Sequence, residues 1–289
     1  MSITTEAALV RPGVGRGLAD VFRDRYLLKL LVSKELKIRY RGSILGLLWS
    51  YVKPGVQFVV FYVAMGKFLG LERATENYAV YLFSGIVLVN FFGEALSNGA
   101  RSIVNNSGLI KKIYLPREMF PVASVWVSGV HFVPQAAVLL IGCFIAGWRP
   151  DWTALLAAVG GFLIIAMFAL GLALFFSAVN VFFRDMENIV DLFLMVATWA
   201  SPVMYKWDMV QKVLGDFWFT VYQANPLTVA VELFHRAFWS PTIPGDFSAY
   251  SPPNLLTIWL PLGLVVSAAV LLIGQLTFRR VEHRFAQEL

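Results

Sequence analysis

Tyr51, Phe58 and Tyr62 stand at i, i+7 and i+11, a spacing that stacks three aromatic rings on one helical face. Gly55 falls on the same stripe and leaves room beside the rings. Aromatic faces pack on the apolar faces of sugar rings, and a ladder of similar rings guides a polymer without fixing it in one place. Ordinary helix packing and an interfacial aromatic belt produce the same pattern. Just upstream, Arg39 and Arg41 flank Tyr40. Guanidinium groups grip phosphate through paired hydrogen bonds, and they equally anchor a chain to anionic lipid.

Other chemistry-bearing residues are sparse. Lys53, Glu94, Asp185, Glu187 and Asp191 are charges within or beside long apolar runs, all toward one end of them. Embedded charge is costly and draws suspicion of function, although long side chains there snorkel to the surface. No acidic residue sits at the middle of a run and no internal repeat is visible, so proton coupling finds no support. His131, His235 and His283 are far apart, and His131 reads most simply as a polar residue hydrogen-bonded between helices. There is no Gly-x-x-x-x-Gly-Lys-Ser/Thr loop to cradle ATP, no paired-His metal motif and no serine nucleophile elbow. Cys143 is the single cysteine, which excludes a disulfide framework within the chain.

These residues are carried by an unusually apolar chain of 289 residues. It is 58% hydrophobic and only 15% charged, with a mean hydropathy of +0.68. Soluble domains carry nearer a quarter charged residues, so the excess apolar surface must face lipid. Six stretches reach the length needed to cross a bilayer: Ile44–Leu69, Tyr78–Leu96, Met119–Ala146, Trp152–Val181, Ile189–Tyr205 and Leu255–Phe278. The fifth is short and begins with charge. The predicted fold is therefore an all-α membrane protein with six transmembrane helices. A basic segment, residues 1–43, precedes the 44–289 transmembrane domain, and it lacks the pattern of a cleaved secretory signal.

Lysine and arginine set the expected orientation. With the N-terminus inside, 17 of them fall on inner segments, 6 on outer segments, and Lys53 within the first span. That bias predicts two cytoplasmic termini in a multi-pass protein. The net charge of +6 then suits anionic membrane lipid better than nucleic acid.

Two connections are too long for turns. Residues 97–118 lie on the predicted inner side, and Ser107, Leu109, Ile110, Lys111 and Lys112 belong to a short surface helix expected over 101–113. It serves either as a docking element or as a helix resting in the interface. Residues 206–254 lie on the predicted outer side and mix aromatic residues with Glu232, His235 and Arg236. Carrying those charges through lipid is expensive, so short re-entrant helices broken at Asn225-Pro226 are expected. Irregular backbone at that depth must pack on protein or line a wet cavity.

Three blocks, in order, now carry a family resemblance. They are Glu35–Trp49 (ELKIRYRGSILGLLW) with Lys53-Pro54, Ser107–Glu118 (SGLIKKIYLPRE), and Phe183-Arg184-Asp185 with Ser201–Tyr205 (SPVMY) and Asn225-Pro226. Together they resemble the permease subunit of ABC-2 type polysaccharide exporters, the group handling O-antigen, teichoic acid, capsule and cell-wall galactan. Tyr114-Leu115-Pro116 departs from the Phe-Pro often found there. The resemblance implies a homodimer of six-span subunits in the bacterial cytoplasmic (inner) membrane. It also implies a lipid-linked glycan as substrate and two copies of a separate ABC ATPase that bind the ATP and Mg, this chain holding no cofactor. It gives roles to the awkward segments: an interfacial helix before span one, a coupling helix in 101–113 for the ATPase, and re-entrant helices after span five. Under it, Tyr51, Phe58 and Tyr62 line the substrate channel, and Arg39 and Arg41 meet a lipid pyrophosphate or headgroup. The alternatives are an ABC-2 type permease for drugs or lipids, or a membrane-bound glycan-modifying enzyme. The enzyme would need a cluster of acid–base residues at the membrane surface, and none is visible in the sequence.

Overall fold

The computed structural model describes residues 17–112, 115–245 and 250–289, and all regular structure among them is helical. Five helical stretches are long and apolar enough to cross a membrane: Gly46–Phe68, Tyr78–Asn105, Met119–Ile145, Trp152–Phe182 and Leu255–Arg284. The first 16 residues of the predicted N-terminal segment, and Ile113 of the predicted coupling helix, lie outside the described residues.

Short helix α1 (Leu18–Arg23) leads into α2 (Arg25–Tyr40), which buries Leu31 and turns away at Gly42, whose φ is +75°. The next stretch is one rod: a 3-10 turn (Gly46–Leu48), α3 (Trp49–Phe61) and a π-helical end (Tyr62–Phe68). Within α3 only Pro54 is buried, so this rod stands off the bundle. After α4 (Leu71–Ala74) comes α5 (Tyr78–Asn105), the most enclosed of the long helices, then the four-residue α6 (Ser107–Ile110). Helices α7 (Met119–Ile145) and α8 (Trp152–Phe182) pack against α5.

Helix α9 (Met186–Ala200) occupies most of the predicted fifth span. Its 15 residues rise about 22 Å, less than the roughly 30 Å of a hydrocarbon core. Pro202 explains the early end, because the residue before a proline avoids the helical region, and Ser201 is extended with ψ 147°. The following turn is pinned to α5: Tyr78 Oη donates to Met204 O at 2.9 Å and Tyr81 Oη to Tyr205 O at 2.6 Å.

Helices α10 (Trp207–Gln223) and α11 (Pro226–Phe234) do break at Asn225-Pro226, where the Asn225 side chain caps α11 by accepting from Leu227 N. All nine residues of α11 are buried. A π turn (His235–Trp239) and a second one (Leu255–Trp259) lead to α12 (Leu260–Val281) and α13 (Phe285–Glu288).

The α8–α12 contact is the tightest crossing. A Cβ on Gly171 would stand 2.6 Å from Leu271 N, and one on Gly274 would collide with Gly171 O. Small residues let membrane helices approach this closely, where dispersion replaces the hydrophobic effect as the driving force. Gly274→Val is expected to cost about 3 kcal/mol by overpacking. A thermal melt of the purified protein checks this, and an unchanged midpoint would mean that the two helices part freely.

A second, smaller core closes the end of the bundle that carries α2, α6 and α13, here the basic end. Phe285 is fully buried there between Phe278 (5.3 Å) and Phe182 (6.3 Å), with the Arg117 guanidinium 5.8 Å from its ring. Residues 101–105, expected within the surface helix, belong to α5: Ser102 and Ile103 are buried, and Asn106 Nδ2 donates back to Ser102 O. Only α6 remains as the separate helix.

Candidate functional site

Four side chains from three helices meet where α2 ends against α5 and α7. Glu94 Oε1 lies 2.6 Å from His131 Nδ1, and Tyr40 Oη lies 2.8 Å from His131 Nε2. These partners assign the tautomer: Nδ1–H donates to the carboxylate, and Nε2 accepts from the phenol. Arg39 forms an ion pair with the same carboxylate oxygen, and Ser50 Oγ bonds Tyr40 Oη at 3.0 Å. His131 is 3% exposed. An apolar helix tolerates such a residue only when both ring nitrogens are satisfied, and here they are.

This cluster forms the wall of a polar cavity of about 660 Å³ between α3, α5 and α7, also lined by Ser43, Lys53, Gln57, Asn90 and Asn98. A second cavity of about 590 Å³ adjoins it and shares Pro54 and Gln135. Its walls are almost entirely apolar: Tyr51, Gly55, Phe58, Val80, Phe83, Val138, Leu139 and Ile145. A small third cavity shares Arg39 and Asn98 with the first and reaches Asn106, next to α6. The first two flank the first rod and the third lies between α2, α5 and α7, so the lining is polar near α6 and apolar farther away.

The structure separates some predicted site residues and joins others. Arg39 enters the polar cluster, whereas Arg41 is exposed beyond the end of α2 and lines none of these cavities. Tyr51 and Phe58 line the apolar cavity with Gly55 open between them. Tyr62 lies past it, stacked on Phe58 at 5.7 Å and on Tyr78 at 6.2 Å. Ser107, Leu109 and Ile110 are half-buried, the last two against the basic-end core, while Lys111 and Lys112 are exposed. Arg101 clamps α5 to α9 through Glu187 (3.1 Å) and Asp191 (2.8 Å), which accounts for two of the embedded charges.

His131 is hydrogen-bonded between helices, as the sequence suggests, but its joint cluster with Tyr40 and Glu94 is what sequence reasoning missed. Glu94 and His131 were visible singly, each a polar residue in an apolar helix. Their 37-residue separation hid the pairing. Each member already has a partner, so the cluster reads as a clasp holding α2 on the bundle. Lys34, which bonds the Asn106 side chain, adds a second clasp beside α6.

At the far end, Glu232 on α11 and His235 and Arg236 on the π turn after it are buried inside the protein. His235 stacks on Tyr81 with ring centroids 3.8 Å apart. Burial raises the Glu232 pKa, with His235 working against it. Burial also opposes ionisation of Asp151, but bonds from Thr153 and Ala154 N–H, with Arg236 nearby, hold its carboxyl below the usual range. Asp151 thereby caps α8 as an anion, favourable at a helix N-terminus.

Comparison with known proteins adds three findings. The family model described as "ABC-2 type transporter" matches residues 26–239. An O-antigen export system permease protein RfbA of Klebsiella pneumoniae is 29% identical over 267 residues, covering 91% of this chain and 95% of that protein. Its namesake in Myxococcus xanthus is 30% identical over 246 residues (84% and 93%), and the polysialic acid transport protein KpsM of Escherichia coli 21% over 249 residues (86% and 93%).

Proposed function

The chain belongs to the ABC-2 type transporter family, and from that membership we propose that it is the permease subunit of an ATP-driven polysaccharide exporter. The observation that carries this reading is the end-to-end likeness to relatives named for O-antigen and polysialic acid transport. The substrate is a lipid-linked polysaccharide, moved outward across the bacterial inner membrane through a channel between two copies of the chain. Five long helices and the shorter α9 make up six spans, with both termini cytoplasmic. The exposed apolar residues of α3 and α9, such as Val56, Val59, Met195 and Trp199, supply the surface for lipid and the second copy. Deleting the gene in its source bacterium tests the reading: glycan should accumulate inside the cell and return to the surface on complementation. Normal surface glycan after deletion would overturn it.

Work arrives from outside the chain. Without a phosphate-cradling loop the chain must be pushed by a partner ATPase, two copies of which dock against α6 and the lysines after it. Leu109 and Ile110 root this element in the basic-end core, so a push on α6 is felt by α5, α7 and α13. Lys34 and Arg39 carry it into α2, which roofs the polar cavity. The purified chain alone is accordingly expected to show no vanadate-sensitive ATP hydrolysis, and measurable turnover would defeat the division of labour.

The orientation has its own check. In a Cys143→Ala background, a thiol reagent that cannot cross the membrane should label Asp216→Cys from outside but not Glu288→Cys. Reversed labelling would invert the topology.

A drug- or lipid-exporting permease is the second reading, favoured by one observation: the cavity beside α3 is largely apolar. Stimulation of the complex's ATPase by hydrophobic drugs but not by lipid-linked glycan would decide for it.

A further inference from the structure

We infer that the paired cavities beside α3 are one amphipathic binding site, in which a polyprenyl diphosphate lies with its anionic head in the polar chamber and its chain in the apolar cleft. The inference rests on the exporter reading and names which part of the substrate this face of the subunit holds. Its consequence is that Tyr51 and Phe58 contact the lipid carrier, leaving the sugars to the channel between subunits.

Three observations support the site. First, the chambers are neighbours, with Pro54 and Gln135 lining both, yet opposite in chemistry. A sugar polymer needs hydroxyl partners throughout, whereas the cleft offers polar side chains only at Asn77, Gln135 and the Tyr51 hydroxyl. An isoprenoid chain needs none. Second, the junction holds an unanswered polar atom: Gln135 is 6% exposed, and its Oε1 has no hydrogen-bond partner among the described residues. Third, the polar chamber has charge to spare. Arg39 is held by Glu94, but no carboxylate among the described residues pairs with Lys53, which sits inside the first membrane-length stretch. Lys53 is exposed on the wall of the chamber, where its ammonium is accessible to an anionic group. Lys53 precedes Pro54 and Gly55 directly, so an anionic head at Lys53 delivers its chain straight into the cleft.

The cleft also has open space where a lipid chain needs it. A Cβ added at Gly55 or at Gly142, on neighbouring helices, meets nothing within 4 Å. Both glycines line the cleft, so a larger side chain at either position starts in open space and takes up cleft volume.

The test uses the full chain in lipid nanodiscs and a polyprenyl diphosphate bearing a diazirine near its tail and no glycan. Labelled positions are mapped by mass spectrometry. Label is expected on the wall residues Val80, Phe83 and Val138. Gly142→Trp, and separately Gly55→Leu, should each lower it at least ~tenfold, equivalent to about 1.4 kcal/mol of binding. Val159→Trp, on the exposed face of α8 and away from the cavities, and Gly142→Ala should leave it unchanged. Lys53→Met should weaken the diphosphate probe and leave the matching polyprenol unaffected. Equal labelling by phosphatidylglycerol carrying the same diazirine would mark an ordinary lipid niche and overturn the assignment, as would label that survives both filled variants.

Glycan export in cells is scored separately, so the two readings fail in different ways. Probe in the cleft with export independent of this chain would sink the exporter and leave the site. Chain-dependent export with an unlabelled cleft would sink the site alone.

Discussion

Glycan export should stop when Ile110 and Lys111 are both replaced by Asp, while the chain still folds and reaches the membrane. Ile110 is half-buried against the basic-end core, and Lys111 is exposed beside it, so the pair joins an internal anchor to an outward charge. Under the proposed docking, reversing the charge of the exposed residue would set it against the partner surface that meets Lys111 and Lys112. Placing a carboxylate at Ile110 loosens the root of α6 itself. If each change removes about 2 kcal/mol from docking, as residues central to an interface do, affinity for the ATPase falls on the order of a thousandfold. Co-purification with the ATPase and surface glycan are the readouts. Intact pull-down with normal export would return α6 to the role of a passive interfacial helix.

A second large effect is expected at the clasp between α2 and the bundle. Glu94→Arg sets two guanidinium groups against each other and deprives His131 Nδ1–H of its acceptor. Export should be lost, because α2 roofs the polar chamber and is freed at that end. The swapped pair Arg39→Glu with Glu94→Arg should recover part of it. A double-mutant cycle on thermal stability should show a coupling of about 0.5–3 kcal/mol, the range for residues in one network. Both side chains are partly exposed, which places the value toward the lower end. Strictly additive single effects would mean that the contact holds nothing in place.

Hydropathy made the long spans legible, because the bilayer demands about 20 apolar residues whatever their neighbours are. Local rules held as well. Asn225-Pro226 breaks the outer segment where the proline requires it, and Phe58 stacks on Tyr62 as their i, i+4 spacing dictates. Local length misled at two places. The fifth apolar stretch contains Pro202, which ends α9 at Ala200, and hydropathy does not register that break. Residues 101–105 read as the start of a separate surface helix, although they continue α5 and bury Ser102 and Ile103.

The site was less legible for a different reason. Arg39, Glu94 and His131 each have an innocent local reading, and only the packing of α2, α5 and α7 makes them one network. The aromatic stripe was found from spacing, but spacing does not say what the rings face. The structure turns Tyr51 and Phe58 toward α5 and α7 of their own subunit, into an apolar cleft.

The central claim is that this chain carries polysaccharide when driven by a separate ATPase. The most direct measurement reconstitutes the chain with that ATPase in proteoliposomes and follows lipid-linked glycan from the ATPase-bearing face to the opposite face. ATP should move the glycan across, with no movement when either protein is omitted or the nucleotide cannot be hydrolysed. Glycan that stays on its original face, while the same vesicles transport a hydrophobic drug or a plain lipid, would contradict the account.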